Sequence, residues 1–442
     1  MPGFFGIIGE NIKVSPNLKV DDYLLNDQKS GSDFFIEQHT IRKFLDDKPF
    51  FENEHYVLLV EGVVLNRKAL EAKYGADNFE STIILAYQTS GETFFNEFRG
   101  SFSGLLYDKR KDFWLIYTDH IGDKQVFYSD QNNQVQFGSE MGFIVNHFKQ
   151  NEYPLTLNEE AAYMLLTYGF FIENHTIALE IKKLTAGHYL LIAGGKVEEK
   201  QYHRFTNEPD TTKTLEEWIE GIDYHFRKAI KLQFDKDLEY GYKHMTTLSG
   251  GLDSRMTVWV AHEMGYTEQL NTTFSQSNYL DETIAKQIAT DLKHEWLFKA
   301  LDHGDFLKDI DDISAITYGG GSYAGLSHGK SMYDLVNFEQ FGIAHTGQIG
   351  DAIIGTFYKK PIAGTAAKIG DGANSHKLIH QLKEYNFRYN YTNEEIFSLY
   401  ARAFNGANQG LLVFQEHTES CSPFTDVDFL NFCYSIPVEL RY

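Results

Sequence analysis

The stretch His244-Met245-Thr246-Thr247-Leu248-Ser249-Gly250-Gly251-Leu252-Asp253-Ser254-Arg255 decides how this chain is read. A strand runs into Ser-Gly-Gly, and a helix begins with Asp253 and Ser254 near its cap. Gly250 and Gly251 let backbone approach an anion closely, and the amides that open a helix point at it. The Ser249 and Ser254 hydroxyls add donors, and Asp253 is placed to hold a divalent cation on a phosphate. Read alone, the turn is an ordinary strand-to-helix connection with a Ser/Asp cap. The full Ser-Gly-Gly-x-Asp-Ser string in a β-α setting points instead to a pyrophosphate cradle.

Outward from that loop the chain divides in two. The polar stretch from Thr206 to Thr214, with Pro209, predicts a boundary, giving one domain over 1–205 and another over 206–442. After it, Trp218, Ile219, Ile222 and Phe226 recur at helix spacing, and β and α signals then alternate, as in a parallel sheet with crossover helices. Before it the chain reads as β-rich. Tyr56–Val60, Phe113–Tyr117, Gln125–Tyr128 and Tyr189–Ile192 are short apolar runs bounded by turn residues. The expected fold is an α+β sandwich followed by an α/β parallel-sheet domain.

Composition narrows the function. The 442 residues carry a formal net charge of −22, which repels phosphate backbones and anionic lipid surfaces, so neither nucleic acid nor membrane is the expected partner. Hydrophobic residues make up 42% and aromatics 15%, enough for sizeable cores. Two cysteines, Cys421 and Cys433, build no disulfide framework or zinc site, and the 17 histidines lack metal-ligand spacing. The N-terminus lacks the basic region of a signal peptide, and no stretch reaches about 18 apolar residues, so a cytoplasmic protein is expected. Ala324–Ser331 fits a relaxed Walker A pattern, but the short, glycine-rich segment before it is no buried strand; Lys330 is read as starting a helix through Tyr333 and Leu335.

The Ser249–Ser254 string resembles the PP-loop of ATP pyrophosphatases, and the wider sequence resembles the asparagine synthetase family. Met1-Pro2-Gly3-Phe4-Phe5-Gly6-Ile7, Glu61–Asn66, Gly100–Asp108, Asp119–Gly122 and Gly138–Met141 match its amidotransferase segments in order. Asp281-Glu282 with Ala285 and Ala289, the loop Thr346-Gly347-Gln348-Ile349-Gly350-Asp351, and Pro423–Asp426 ahead of Ile436–Leu440 match its synthetase segments. The resemblance implies an N-terminal nucleophile-type sandwich, then an adenine nucleotide α-hydrolase-like PP-loop domain. It implies ATP and Mg²⁺ as cofactors, a small-molecule carboxylate as substrate, and ammonia or an amine as nitrogen donor. Asp253 and Asp351 would hold the Mg²⁺. Ser249, Gly250, Gly251 and Ser254 would cradle the pyrophosphate, with Leu248, Thr273 and Phe274 on the adenine side and Gly347 on the AMP side; Thr346 would also contact the nucleotide. Asp253, Asp351 and Gln348 would be the catalytic positions.

Three departures qualify that picture. Pro2 stands where the family carries its nucleophilic cysteine, and Arg42–Lys48 replaces an Arg-Gly-Pro-Asp segment, so glutaminase activity is expected to be lost. Gln348 replaces a glutamate. The chain stops at Arg441-Tyr442, where the family continues with a helical portion bearing a lysine. The expectation is an incomplete second domain with Phe429, Leu430, Phe432 and Tyr434 exposed and association, as a homodimer for instance, through that face. Amide ligases of the β-lactam synthetase or lasso cyclase kind, and a nucleotide-binding pseudoenzyme, are the alternatives.

Overall fold

The computed structural model describes residues 2–13, 23–308, 310–321, 323–357 and 364–441. Met1, Tyr442 and the side chain of Ala324 lie outside the described residues. The chain divides into two compact units, Met1–Leu166 with Phe171–Arg204, and Thr167–Phe170 with Phe205–Tyr442. The short Thr167–Phe170 segment belongs with the second unit for a visible reason. Tyr168 Oη accepts the Gly370 amide at 2.7 Å, and the Thr167 carbonyl accepts the Ser375 amide at 3.0 Å.

The first unit is built on strands β1 (Gly3–Gly9), β2 (Leu25–Ser30), β3 (Phe34–Thr40), β4 (Phe50–Glu52), β5 (Tyr56–Val64), β6 (Gly100–Asp108), β7 (Phe113–Thr118), β8 (Phe127–Gln131), β9 (Gln134–Gly138), β10 (Lys182–Lys183), β11 (His188–Ala193) and β12 (Lys196–Gln201). They form two antiparallel sheets, ordered β10-β8-β9-β1-β3-β2 and β12-β11-β7-β6-β5-β4. Period-two alternation explains the layers. Val57 and Leu59 of β5 join a core with Phe4, Ile36 and Phe137 of the other sheet, while Leu58 and Val60 face the helices through Leu70, Phe79 and Ile83. Both faces of β5 are therefore covered, which is why it reads as a continuous apolar run. The run Gln125–Tyr128 enters its strand only at Phe127.

In the second unit β13 (Lys243–Thr247), β14 (Gln269–Ser275), β15 (Glu295–Ala300), β16 (Phe341–His345) and β17 (Ser420–Cys421) form a parallel sheet ordered β15-β14-β13-β16-β17. The helix Leu215–Glu239 opens with a capping box, in which Thr214 accepts the Glu217 amide and Glu217 the Thr214 amide. It buries Trp218, Phe226, Ile230 and Phe234, whereas Ile219 falls off that stripe and is 59% exposed. Residues Phe429, Leu430 and Tyr434, expected in water, are buried, because the Val427–Tyr434 helix packs on this long helix with Phe226 against Phe429 and Trp218 against Phe432. Phe432 is half-buried, and among the described residues these four form no exposed apolar patch. Among the described residues no helix is long and apolar enough to cross a membrane.

Candidate functional site

The parallel sheet delivers Leu248 and Ser249 at the carboxyl end of β13, and the helix Leu252–Glu263 begins three residues later. Gly251 occupies the cap position, so no side chain caps this helix. Asp253 and Ser254 lie in its first turn. Instead of capping, the Ser254 hydroxyl reaches back to accept the Ser249 amide at 3.0 Å and sits 3.0 Å from Ser249 Oγ. Ser249 Oγ accepts the Gly251 amide at 3.1 Å. The Gly250 amide is taken by Asp281 Oδ1 at 2.8 Å, which ties the following helix, Leu280–Leu292, to the loop. The result is a tight loop at a helix N-terminus, the place where backbone amides and the helix dipole favour an anion.

The Thr346–Asp351 loop, arriving from β16, packs directly on that turn. A side chain at Gly347 would put its Cβ 2.3 Å from the Ser254 backbone nitrogen, and one at Gly350 would put it 2.6 Å from Asp253 Cγ. Only glycine permits the approach. It brings the Asp351 amide to 2.9 Å from Asp253 Oδ2, which accepts it. Burial holds the Asp253 carboxyl above the ordinary carboxylate range, the Asp351 charge pushes the same way, and the Asp351 amide opposes both. Asp351 thus reaches Asp253 from a separate loop, and burial holds the Asp253 carboxyl toward its neutral form; a hard cation would favour the ionised carboxylate. The Gln348 amide does something different. Its Nε2 donates to the Ala407 carbonyl at 2.6 Å, tying the loop to the segment Ala407–Phe414.

A cavity of about 680 Å³ lies against this junction, wholly within the second unit. It is lined by Leu248, Ser249, Gly251, Asp253, Ser254, Thr273, Phe274, Thr346, Gly347 and Gln348 among the sequence candidates; Gly250 and Asp351 are not on its wall. Thr273 Oγ1 donates to the Leu248 carbonyl at 2.6 Å, which fixes the apolar flank. Sequence reasoning missed the opposite wall. Tyr168, Phe170, Asn374, Arg402, Gly410 and Phe414 come from scattered segments. Lys330, read as starting a helix, lies instead in the last turn of the helix Tyr323–Tyr333, because the helix begins upstream; it pairs with Asp334 at 2.5 Å and does not line the cavity.

Histidine spacing gave no hint of one further cluster. Asp237 Oδ2 accepts from His244 Nδ1 at 2.9 Å and His345 Nε2 at 2.7 Å, while its Oδ1 accepts the Ile343 amide at 2.7 Å; all three side chains are buried. In the first unit, the departing segment Arg42–Lys48 meets the matching segment Glu61–Asn66. Lys48 Nζ lies 3.3 Å from Glu61 Oε1 with both side chains buried, and Glu61 also accepts from Thr40 at 3.0 Å and Gln38 at 3.2 Å. Both cysteines are buried in the second unit, and burial pushes the Cys433 thiol up to about 12.

An antiparallel two-sheet unit is followed in the chain by a parallel α/β unit that carries the Ser249–Ser254 turn. Residues 44–203 match the glutamine amidotransferase domain family. The chain is 24% identical over 272 residues to asparagine synthetase [glutamine-hydrolyzing] 1 of Bacillus subtilis (strain 168), covering 60% of this chain and 42% of that protein. It is 27% identical over 211 residues to asparagine synthetase B [glutamine-hydrolyzing] of Escherichia coli (strain K12), covering 46% and 32% respectively. Asparagine synthetase [glutamine-hydrolyzing] 2 of Bacillus subtilis is 28% identical over 283 residues, 57% of this chain and 36% of its own length. The chain is thus similar to glutamine-hydrolysing asparagine synthetases, and its matches span less than half the length of these relatives.

Proposed function

We propose that this protein is an ATP- and Mg²⁺-dependent amide ligase that activates a small-molecule carboxylate and joins it to ammonia or an amine. The observation that carries the reading is the convergence of Asp253 and Asp351 on the Ser249–Ser254 turn. In this reading the second unit is a PP-loop domain. Ser249, Gly250, Gly251 and Ser254 hold the pyrophosphate of ATP, and Leu248, Thr273 and Phe274 flank the adenine. Asp253 and Asp351 hold Mg²⁺, which supplies charge that makes pyrophosphate a better leaving group. The substrate carboxylate attacks the α-phosphorus, the bond to the β-phosphate oxygen breaks, and pyrophosphate departs. The amine nitrogen then attacks the acyl carbon, AMP leaves with the bonding pair, and the nitrogen loses a proton.

The amidotransferase-like unit acts in this reading as a scaffold without glutaminase activity. Pro2 offers no thiol, the unit holds no cysteine, and the Lys48–Glu61 pair occupies its interior. Nucleotide binding without ligation is the second reading, favoured by the structural use of Gln348. One experiment separates the two. Pyrophosphate exchange into ATP that depends on an added acid is expected of the ligase, and its absence despite Mg-ATP binding supports the second reading. Asp253→Asn should reduce exchange by roughly 10²–10³. Glutamate release from glutamine above background would overturn the loss of glutaminase activity.

A further inference from the structure

Asp237, His244 and His345 are not on the wall of the cavity and belong to neither loop of the cradle. Yet three separate elements bring them together: the last turn of the Leu215–Glu239 helix, the second residue of β13 and the last residue of β16. One ligating atom from each lies within 4.8 Å of the other two. A Cβ at Gly342 would stand 2.1 Å from Asp237 Oδ1, so glycine makes room for the carboxylate. That oxygen accepts the Ile343 amide, which fixes the carboxylate and leaves Oδ2 to the two imidazoles. Phe234 stacks on His345 with ring centroids 3.9 Å apart and 11° between the planes, and Tyr266 meets His244 edge-on at 5.5 Å. Aromatic packing therefore holds both rings with their inward nitrogens aimed at one oxygen.

The donors that meet the Asp237 carboxylate among the described residues are two imidazoles and one amide, which are neutral unless a ring takes up a proton. Burying a carboxylate in such a setting is costly without positive charge beside it. A dication would supply that charge to the oxygen and to both rings at once. Imidazole nitrogen with carboxylate oxygen is a donor set that suits Zn²⁺ and its neighbours, whereas Mg²⁺ takes oxygen ligands.

We propose that Asp237 Oδ2, His244 Nδ1 and His345 Nε2 bind a transition-metal dication of the Zn²⁺ class. The site stands apart from the Mg²⁺ position at Asp253 and Asp351 and does not depend on the ligase reading. Bonds of about 2.0–2.2 Å to a tetrahedral ion set its ligand atoms about 3.3 Å apart. The present separations from Oδ2, 2.9 Å to His244 and 2.7 Å to His345, are shorter by about half an ångström, a shift that small side-chain rotations supply. Each ring then carries its proton on the outward nitrogen, His244 Nε2 or His345 Nδ1, so the inward nitrogen offers its lone pair and both rings stay neutral. The three protein ligands leave one tetrahedral position to a water molecule. Held this way, the ion is a staple between the long helix and two strands, and it takes no part in the chemistry of the cavity.

The test takes the full chain, strips it with a chelator, and titrates it with Zn²⁺ and separately with Co²⁺. Elemental analysis after gel filtration should find one Zn²⁺ retained per chain. The melting temperature should rise with Zn²⁺ and fall back when chelator is added. The Co²⁺ form should absorb in the visible with the intensity of a four-coordinate site. His244→Gln and His345→Gln keep an amide donor for Asp237 but lose the imidazole; each should weaken Zn²⁺ binding about 100-fold or more and abolish the melting shift. Asp253→Asn should still retain the Zn²⁺. A wild-type chain that retains none, which is the result if the cluster shares only protons, overturns the proposal. So does Zn²⁺ retention unchanged in both histidine variants, which would place the ion on other histidines, or its loss in Asp253→Asn. Should the histidine variants fail to fold, the wild-type stoichiometry and Co²⁺ spectrum decide, and a weak six-coordinate spectrum counts against the site.

Discussion

The backbone amide of Asp351 donates to the carboxylate of Asp253 at 2.9 Å, so the two acidic loops of the second unit are joined through one residue's main chain and the other's side chain. The bond spans 98 residues of sequence and leaves the Asp351 carboxylate exposed and available.

A pH dependence follows from that contact. Burial lifts the Asp253 carboxyl above its ordinary 3.8, against the opposing Asp351 amide and with a smaller push from the Asp351 charge. Without divalent cation the folded state therefore holds this proton more tightly than the unfolded chain. The stabilising contribution of the protonated form falls as pH rises from near 3.8 through the elevated folded value. A cation competes with the same proton. Mg²⁺ affinity should fall as pH drops through the Asp253 titration, by at most about tenfold per pH unit. Asp253→Asn should raise the melting temperature of the metal-free protein at neutral pH while removing the Mg²⁺ response. Differential scanning fluorimetry across pH, with and without Mg²⁺, measures both; a lower melting temperature for the variant would contradict the raised carboxyl.

Gly347 is the closest steric contact between the loops. Its missing side chain leaves the Ser254 nitrogen room that a Cβ would occupy at 2.3 Å, and the opposing atom is backbone that cannot rotate away. Gly347→Ala should push the Thr346–Asp351 loop off the cradle. Misplacement of about 1 Å costs on the order of 10² in rate, and overpacking costs about 1–3 kcal/mol in stability. Denaturant melts and exchange assays read the two effects. Wild-type exchange in this variant would show that the loops need not touch.

The Asp237 cluster should behave as a structural clamp. Its carboxylate is buried and accepts three N–H donors from β13, β16 and the residue preceding His345 by two. Asp237→Leu leaves three buried donors unpaired, and breaking buried pairs of this kind costs about 3–5 kcal/mol. Its denaturation midpoint should drop sharply while the Mg-ATP affinity of the surviving folded fraction holds. A loss under about 1 kcal/mol would mean that the network contributes little.

What the sequence made legible depended on how chemistry was distributed along it. Ser249, Gly250, Gly251, Asp253 and Ser254 form one contiguous turn, so their spacing alone carries the geometry of the cradle. The strands of the first unit were readable because β-branched and aliphatic runs end in turn residues, although Gln125 and Val126 belong to a connection that hydrophobicity alone cannot tell from β8. Arg402 and Asn374 carried no such signal. They reach the cavity through long-range bonds, such as Asn374 to the Tyr168 carbonyl and Gln348 to Ala407, and through a π-helix that no residue pattern announces. The Val427–Tyr434 helix was misjudged for the same reason: its cover, the Leu215–Glu239 helix, comes from two hundred residues earlier, as the Lys228–Asp428 pair at 2.7 Å illustrates.

Gln348 offers the sharpest test of how a changed residue has been put to use. A glutamine at this position need not be a damaged catalytic glutamate, because its Nε2 donates to the Ala407 carbonyl at 2.6 Å, a bond that a carboxylate cannot make. Gln348→Glu would set an acceptor against an acceptor, releasing the Ala407–Phe414 segment that lines the cavity with Gly410, Leu411, Val413 and Phe414. Losing such a bond costs about 1–3 kcal/mol once the unpaired carbonyl is counted, so substrate-dependent exchange should fall about tenfold in Gln348→Glu. Gln348→Ala should do the same, since it too lacks the donor, and Lys330→Ala, which only breaks a pair with Asp334, should change exchange less than about threefold. Steady-state exchange on the three variants at fixed Mg-ATP measures this. A gain of activity in Gln348→Glu would show that the position wants a charge for chemistry and that the tie to Ala407 is incidental.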